Sequence, residues 1–257
     1  GPETEAVVGA DVAAPPMPSL SLIYLCWNEE AALGRTLAEA LAWCAGFQGE
    51  WEILVVDDGS TDGSAAIVQR LAQSEPRLRL LRHDRNRGMG AGLRTGIAAA
   101  TKRHFCMLAA DGQIPTAELD KMLPLLEQAP IVLSTYGNRP NNALRTVISR
   151  GFRWYMGLLI GVDFALEGTY LFPVALARDE IGLDRIGADT FFFSFELIAR
   201  ALQRGHGFAD AVIASRPRSD GGGSRVANAG RIKRVAAEVL ALRRRLRLEA
   251  AGRPTDP

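Results

Sequence analysis

Runs of apolar residues alternate with segments of helical periodicity over the first half of the chain. Apolar runs predict buried strands at residues 20–26, 51–56, 78–81, 105–109 and 131–134. Apolar residues recur at helical spacing in the intervening segments, which are residues 29–44, 63–72, 90–101 and 117–128. This alternation predicts successive βα units and an α/β fold, in which helices flank a mostly parallel central sheet.

The pattern changes after Tyr136. Arg-bearing helical segments continue to Gly161, and a strand at 170–173, a helix at 193–204 and a strand at 208–215 follow. A Gly-rich loop then precedes a basic helix predicted from Ala229 to about Leu248. We therefore expect four parts, namely a disordered leader at 1–18 that begins with a tag scar, a main domain at 19–225, a basic amphipathic helix at 226–250 and a flexible tail at 251–257.

Composition and charge narrow the class of protein. With 47% hydrophobic and 23% charged residues, the 257-residue chain can bury an ordinary globular core. The formal net charge of +1 gives no reason to expect a nucleic-acid partner. The three cysteines lie far apart in apolar segments, a pattern typical of reduced, buried thiols in a cytoplasmic protein. No run of about 18 apolar residues is present in the sequence, so no transmembrane span is expected.

Polar, turn-forming clusters follow the predicted strands. They are residues 27–29, 57–60, 86–88 and 111–113. Right-handed crossovers place such loops on one edge of a parallel sheet, where open α/β folds bind ligands. The sequence therefore predicts a binding crevice formed by these four clusters.

Carboxylates in this crevice suggest two kinds of chemistry. Asp57 and Asp58 end a buried strand, where they could bind a nucleobase and ribose or could simply cap the turn; for Asp62 we favour helix capping. Asp111 ends another strand, where it could hold a divalent cation with a diphosphate. The glycines at 88–96 do not have the spacing of a dinucleotide-binding fingerprint. They could allow a helix start to approach the substrate closely, or they could allow a helix to pack closely on the sheet.

These clusters together resemble family 2 glycosyltransferases of the GT-A fold. The resemblance rests on Asn28-Glu29, Val55-Val-Asp-Asp-Gly-Ser60, Asn86-Arg-Gly88 and Asp111-Gly-Gln113, in this order and spacing. Downstream, Phe195-Glu-Leu197 and the segment from Arg218 to Ser224 resemble dolichol- and undecaprenyl-phosphate sugar transferases. The resemblance covers roughly residues 19–225. It implies a bacterial, inverting transferase that uses Mg²⁺ or Mn²⁺ and a nucleotide-diphosphate sugar, with UDP favoured over GDP.

The resemblance also implies roles for individual residues. The residues expected to bind the nucleotide sugar are Cys26, Trp27, Glu29, Asp57, Asp58, Gly59, Asn86, Gly88 and Asp111. Asp111 and Gln113 are expected to ligate the metal, since oxygen ligands suit a hard cation. The family normally has an acidic residue where Ala109 stands.

The expected acceptor is a polyprenyl phosphate at the inner face of the cell membrane. Its phosphate would be bound by arginines, for which the candidates are Arg139, Arg145, Arg150, Arg216 and Arg218. The apolar stripe at 152–160 and the basic helix could contact lipid, or both could pack on the domain. If the acceptor is instead a hydroxyl of a soluble saccharide or secondary metabolite, a general base is required, and Glu167 and Asp189 join Asp111 as catalytic candidates.

Two other functions fit parts of the pattern. A nucleotidyltransferase would need a glycine-rich, basic phosphate loop directly after the first strand, which Trp27-Asn28-Glu29 does not supply. A catalytically inactive nucleotide-binding module is the other alternative, and Ala109 is its main motive.

Overall fold

Seven strands form one sheet in the computed structural model, which describes residues 18–138, 151, 154, 157, 158, 160–217 and 229–251, with side chains in the last range from 237 onward. The strands are β1 Ser19–Cys26, β2 Glu50–Asp57, β3 Leu78–Arg82, β4 His104–Ala109, β5 Ile131–Tyr136, β6 Tyr170–Pro173 and β7 Phe208–Ile213. Their spatial order is β3-β2-β1-β4-β6-β5-β7. Only β6 runs antiparallel to its neighbours, so the mostly parallel sheet predicted from the sequence is confirmed.

Helices connect and cover the strands. They are α1 Glu30–Gly46, α2 Ser64–Ala72, α3 Met89–Ala99, α4 Phe192–Gln203 and α5 Ala229–Ala250. Fully buried side chains fill both faces of the sheet, with Ile23 and Val56 in one apolar cluster and Leu22 and Val55 in the other. Both faces are apolar because strands covered by helices on both sides have no solvent-facing side.

Two segments differ from the sequence prediction. In place of one α-helix over 117–128, the chain forms two short 3₁₀ helices, Thr116–Lys121 and Leu123–Glu127. Pro124 lies in the first turn of the second one, where it has no N–H to donate and would break a continuous α-helix. A π-helical segment, Leu176–Gly182, follows β6 and was not predicted.

The C-terminal helix packs on the domain. Val239 and Leu242 of α5 are fully buried and belong to the same apolar cluster as Phe192 of α4. This is the docking alternative of the sequence analysis, although Arg244 and Arg247 still face solvent. In the 152–160 stripe, Ile160 is buried whereas Trp154 and Leu158 are exposed. Among the described residues, no helix is both long and apolar enough to cross a membrane.

Candidate active site

The ends of β1, β2 and β4 lie side by side and carry the predicted nucleotide-binding residues. Cys26 is in register with Asp57, and Leu25 is in register with Ala109. Trp27 is 45% exposed beyond β1, so its ring is accessible, whereas the Cys26 side chain is buried and contributes its carbonyl to the N–H of Asp58. Glu29 is half-buried at the start of α1. These strand ends therefore lie at one edge of the sheet, as the sequence predicts.

Asp57 is fully buried and held from two sides. Its Oδ1 accepts a hydrogen bond from the Ser60 N–H at 2.9 Å, and its Oδ2 lies 3.1 Å from Nε of Arg82. Arg82 ends β3 in register with Asp57, and its guanidinium also donates to the Ser60 carbonyl. The sequence analysis missed Arg82. The signal was available, because the residue that ends a third parallel strand must reach the same edge of the sheet.

Asp58 organises the next loop. Its Oδ1 accepts from Arg87 N–H and lies 2.7 Å from Nδ1 of His83, while its Oδ2 accepts from Gly88 N–H at 2.8 Å. Gly59 packs against the backbone at Asn86, whose side chain is exposed. These contacts give Asp58 a structural role, because they fix the 86–88 loop next to the end of β2.

Asp62 and the glycines of α3 have structural partners. Asp62 accepts hydrogen bonds from the N–H groups of Glu30 and Ser64, which begin α1 and α2, although the N-cap residue of α2 is Gly63 and not Asp62. Partial burial raises the pKa of Asp62, but hydrogen bonds from the Ser64 side chain and from these backbone N–H groups outweigh it and lower that pKa below its usual value. A Cβ on Gly96 would lie 2.5 Å from Cγ2 of Ile23 in β1, which supports the helix–sheet packing alternative.

The Asp111–Gln113 turn follows β4 and is braced by its surroundings. The Oδ1 of Asp111 accepts from the Gln113 N–H at 3.0 Å, and the Asp111 side chain is largely buried. Gly112 has φ +70°, and a Cβ there would lie 2.6 Å from Oγ1 of Thr36 in α1. Only glycine can adopt this φ readily and leave room for Thr36, so the turn packs tightly against α1.

Arg216 braces the same turn. Its Nε donates to the Gly112 carbonyl, its backbone N–H donates to the Gln113 carbonyl, and its guanidinium pairs with Glu39 at 2.6 Å. The expected phosphate ligand is thus engaged within the protein. The other four arginines of the expected phosphate site, Arg139, Arg145, Arg150 and Arg218, lie outside the described residues.

The two candidate bases lie in different surroundings. Glu167 is exposed just before β6, and its Oε2 accepts from the Tyr136 N–H at the carboxyl end of β5. Because β6 is antiparallel, its beginning lies at the same sheet edge as Asp111. Asp189 is 76% exposed and pairs with Arg94 of α3 at 3.1 Å.

Ala109 is exposed at the end of β4, where the family normally has an acid. No group of three or more His, Cys, Asp or Glu side chains that could hold a metal occurs among the described residues. The predicted ligands Asp111 and Gln113 are therefore not part of a closed cage of such side chains within the described ranges.

Comparison with protein families identifies the family. The model for Glycosyl transferase family 2 matches residues 21–177, which is more than half of the chain. The chain belongs to glycosyl transferase family 2. This assignment confirms the resemblance found in the sequence, and the matched range contains the crevice residues from Cys26 to Glu167.

Named relatives of this family 2 chain are undecaprenyl-phosphate 4-deoxy-4-formamido-L-arabinose transferases. The protein of Photorhabdus laumondii is 31% identical over 133 residues, covering 51% of this chain and 41% of that protein. The protein of Pectobacterium carotovorum is 30% identical over 156 residues, covering 60% and 47% respectively. The chain thus matches less than half the length of these relatives.

Solved structures show the same fold. Glucosyl-3-phosphoglycerate synthase from Mycobacterium tuberculosis, in complex with Mn²⁺, UDP and glucosyl-3-phosphoglycerate, has a TM-score of 0.62 at 18% identity. The match covers 93% of this chain and 82% of that one. A complex of the same synthase with Mg²⁺ and UDP has a TM-score of 0.63 at 16% identity, covering 93% and 81%. The GT-A fold of the family 2 chain is therefore confirmed.

Proposed function

We propose that this chain is a metal-dependent, inverting glycosyltransferase that moves a sugar from a UDP-sugar to a polyprenyl phosphate. The proposal rests most on the braced turn at Asp111, which holds a carboxylate at the same edge of the sheet as Asp57. The names of the relatives support the acceptor, since they are undecaprenyl-phosphate sugar transferases. The solved complexes, with UDP and Mn²⁺ or Mg²⁺ bound to the synthase, support the donor and the cation.

Asp111 and Gln113 would hold the cation. Mg²⁺ is commonly bound by one or two carboxylates together with waters and substrate phosphates, so an incomplete protein site fits a cation that arrives with a diphosphate. The turn is preorganised for this task, because Arg216, Glu39 and Thr36 fix its backbone before any ligand binds. When bound, the cation supplies positive charge that stabilises the departing diphosphate.

The surroundings of Asp57 favour uracil over guanine. Its Oδ1 already accepts from the Ser60 N–H, whereas its Oδ2 accepts no hydrogen bond from the described part of the chain and lies beside the guanidinium of Arg82. Uracil presents one imide N–H between two carbonyl oxygens, which suits one carboxylate oxygen next to an Arg donor. Guanine presents two neighbouring donor groups, which would need both carboxylate oxygens. We therefore expect UDP to bind more tightly than GDP.

The reaction needs one displacement. An oxygen of the acceptor phosphate attacks the anomeric carbon, the bond to the nucleotide diphosphate breaks on the opposite face, and the configuration inverts. A phosphate oxygen is already anionic at neutral pH, so no general base is required. A polyprenyl phosphate would place the reaction at the inner face of the membrane, where the solvent-facing arginines of α5 favour contact with anionic lipid.

The deciding experiment compares the parent chain with Asp111→Ala. By calorimetry, the parent should bind UDP in a Mn²⁺-dependent manner, and Asp111→Ala should weaken that binding by more than about a hundredfold because a direct ligand is lost. Asp210→Ala, which removes an exposed acid from the edge strand β7, is the matched control. A screen of UDP-sugars with polyprenyl phosphate, read by mass spectrometry, then tests transfer.

Each negative result has a definite meaning. Full cation-dependent UDP binding by Asp111→Ala would refute the proposed metal site. A second outcome is that the chain binds UDP equally well with and without Mn²⁺ and neither transfers nor slowly hydrolyses any UDP-sugar. That outcome would favour the catalytically inactive nucleotide-binding module. Transfer to saccharide hydroxyls instead of polyprenyl phosphate would refute the acceptor.

A further inference from the structure

The segment at 183–190 packs against the start of α3 and forms a wall next to the 86–88 loop, which we call the donor loop because it is expected to bind the nucleotide sugar. The Asp189 carbonyl accepts a hydrogen bond from the Gly90 N–H at 3.0 Å, immediately after the 86–88 loop that Asp58 holds. A Cβ on Gly90 would lie 2.7 Å from Cα of Asp189, so the two backbones are in direct contact. The position of Asp189 and that of the donor loop are therefore linked.

Two arginines bind this segment through its carbonyl groups. Arg94 of α3 donates to the carbonyls of Leu183, Ile186 and Ala188. Arg200 of α4 is fully buried and donates to the Arg185 carbonyl at 2.9 Å. The segment has little regular hydrogen bonding of its own, so these side chains determine its path.

The C-terminal helix reaches the same segment. Thr190 donates through Oγ1 to Oε2 of Glu238 in α5 at 2.6 Å, and the same Oγ1 accepts from the Phe192 N–H that begins α4. Glu238 thus orients a hydroxyl that joins the residue after Asp189 to the first turn of α4. Among the described side chains, Glu238 has the one carboxylate that forms a hydrogen bond with Thr190.

We propose that Glu238 is a positioning residue for the transfer reaction, which it serves by fixing Thr190 and, through it, Asp189 and Gly90. The inference rests on the proposed function, because the wall matters only if a UDP-sugar occupies the crevice. It adds the C-terminal helix to the parts of the chain on which turnover depends. Glu238 itself lies on a helix outside the 21–177 range that matches the family.

The role of Glu238 can be separated from docking of the helix. Val239 and Leu242 bury the apolar face of α5, and Glu249 pairs with Arg200 at 2.9 Å. These anchors remain when the Glu238 carboxylate is removed. We therefore expect Glu238→Ala to leave α5 docked, with thermal unfolding and far-UV circular dichroism close to those of the parent chain.

The experiment uses the full chain with three substitutions. Glu238→Ala removes the acceptor of the Thr190 hydroxyl, Glu238→Gln keeps an acceptor oxygen, and Leu240→Ala truncates an exposed side chain on the same helix as a control. Hydrogen exchange by mass spectrometry reports on the peptide that contains Gly90. Hydrolysis of UDP-glucose with Mn²⁺, without acceptor, reports kcat and KM.

Glu238→Ala should speed exchange at Gly90 about tenfold, which is the effect of losing a hydrogen bond to a charged group. Its kcat should fall about tenfold to a hundredfold, as expected when a positioned group shifts by about 1 Å, with KM changed less than about threefold. Glu238→Gln should restore most of both values, and Leu240→Ala should match the parent.

The outcomes distinguish this inference from the proposed function. If the parent chain neither binds UDP with Mn²⁺ nor hydrolyses UDP-glucose, the proposed function fails, while exchange at Gly90 still tests the linkage. If the parent is active and Glu238→Ala matches it in kcat and in exchange, the inference is wrong. Equal loss in Glu238→Ala and Leu240→Ala would also overturn it, since helix stability would then be the cause.

Discussion

Arg216 shows how one side chain can fix the geometry of a turn from several sides. Its guanidinium lies between Glu39 of α1 and the Gly112 carbonyl, and its backbone N–H binds the Gln113 carbonyl. The pair with Glu39 is about one-third exposed on both sides, so its Coulomb energy alone is modest. Its importance lies in holding the turn that presents Asp111.

Removing Arg216 distinguishes a brace from an acceptor ligand. Arg216→Ala should weaken Mn²⁺-dependent binding of UDP by about 10–100-fold, as expected for a group that orients a metal ligand. Calorimetry without any acceptor provides the measurement, and Arg178→Ala, at an exposed arginine, is the control. An unchanged dissociation constant would show that the turn keeps its shape without Arg216, and would favour the acceptor role instead.

At the residue scale, the sequence predicted which residues lie at the same sheet edge but not which side chains pair with one another. Strand ends located Asp57 and Asp111, because parallel strands carry their carboxyl ends to one edge. The partner of Arg216 could not be predicted, since Glu39 lies 177 positions away and neither residue has a local pattern. Arg82 was predictable in principle because it follows directly from the β2–β3 register.

At the element scale, β4 carries a titratable side chain at the edge opposite Asp111. Burial, with a smaller contribution from the charge of Arg103, lowers the pKa of His104 from its usual 6.5 to about 4. The folded chain therefore favours neutral His104. Its contribution to stability is complete above the unfolded pKa and is lost as pH falls from about 6.5 towards about 4.

Replacing His104 should reduce the fall in unfolding free energy that occurs as the pH becomes acidic. Partial exposure reduces the effect, so we expect His104→Gln to remove about 1–3 kcal/mol of the loss in unfolding free energy between pH 6.5 and pH 4. Urea unfolding at several pH values provides the measurement. A parallel shift of the whole curve in His104→Gln would contradict this explanation.

Strands were easier to predict than the connections between them. The five strands of the first half were found to within two residues at each end, because buried parallel strands are continuous apolar runs. The 3₁₀ helices at 116–127 were predicted as an α-helix, since their apolar spacing fits both and only Pro124 argues for a break. The π-helical turn after β6 has no comparable signal in the apolar pattern.

At the scale of the whole molecule, a buried ionic cluster joins α5 to the rest of the chain. Arg200 and Glu196 of α4 are fully buried, Glu249 of α5 pairs with Arg200, and Arg245 of α5 pairs with Glu196 at 2.8 Å. Two acids and two arginines give a cluster of zero net charge. Buried charges tolerate desolvation only when they are paired in this way.

Removing one charge from the cluster should therefore be costly. Arg200→Met keeps most of the side-chain volume but takes one of two arginine partners from the fully buried Glu196 and the partner of Glu249, so we expect a loss of about 3–5 kcal/mol in unfolding free energy. Chemical denaturation provides the measurement. Lys121→Ala, which breaks an exposed pair with Glu118, should change stability by less than about 1 kcal/mol. Similar losses in both variants would show that the cluster is not specially stabilising.

The antiparallel strand β6 has a consequence for how the chain is made. The four strands on the nucleotide side, β3, β2, β1 and β4, come from residues 19–109 alone, so their pairings can close while the rest of the chain is still being synthesised. The free edge of β4 must then wait for β6, which is encoded about sixty residues later. During that interval an unpaired apolar strand edge is exposed, and this is the stage at which a nascent chain is most open to aggregation.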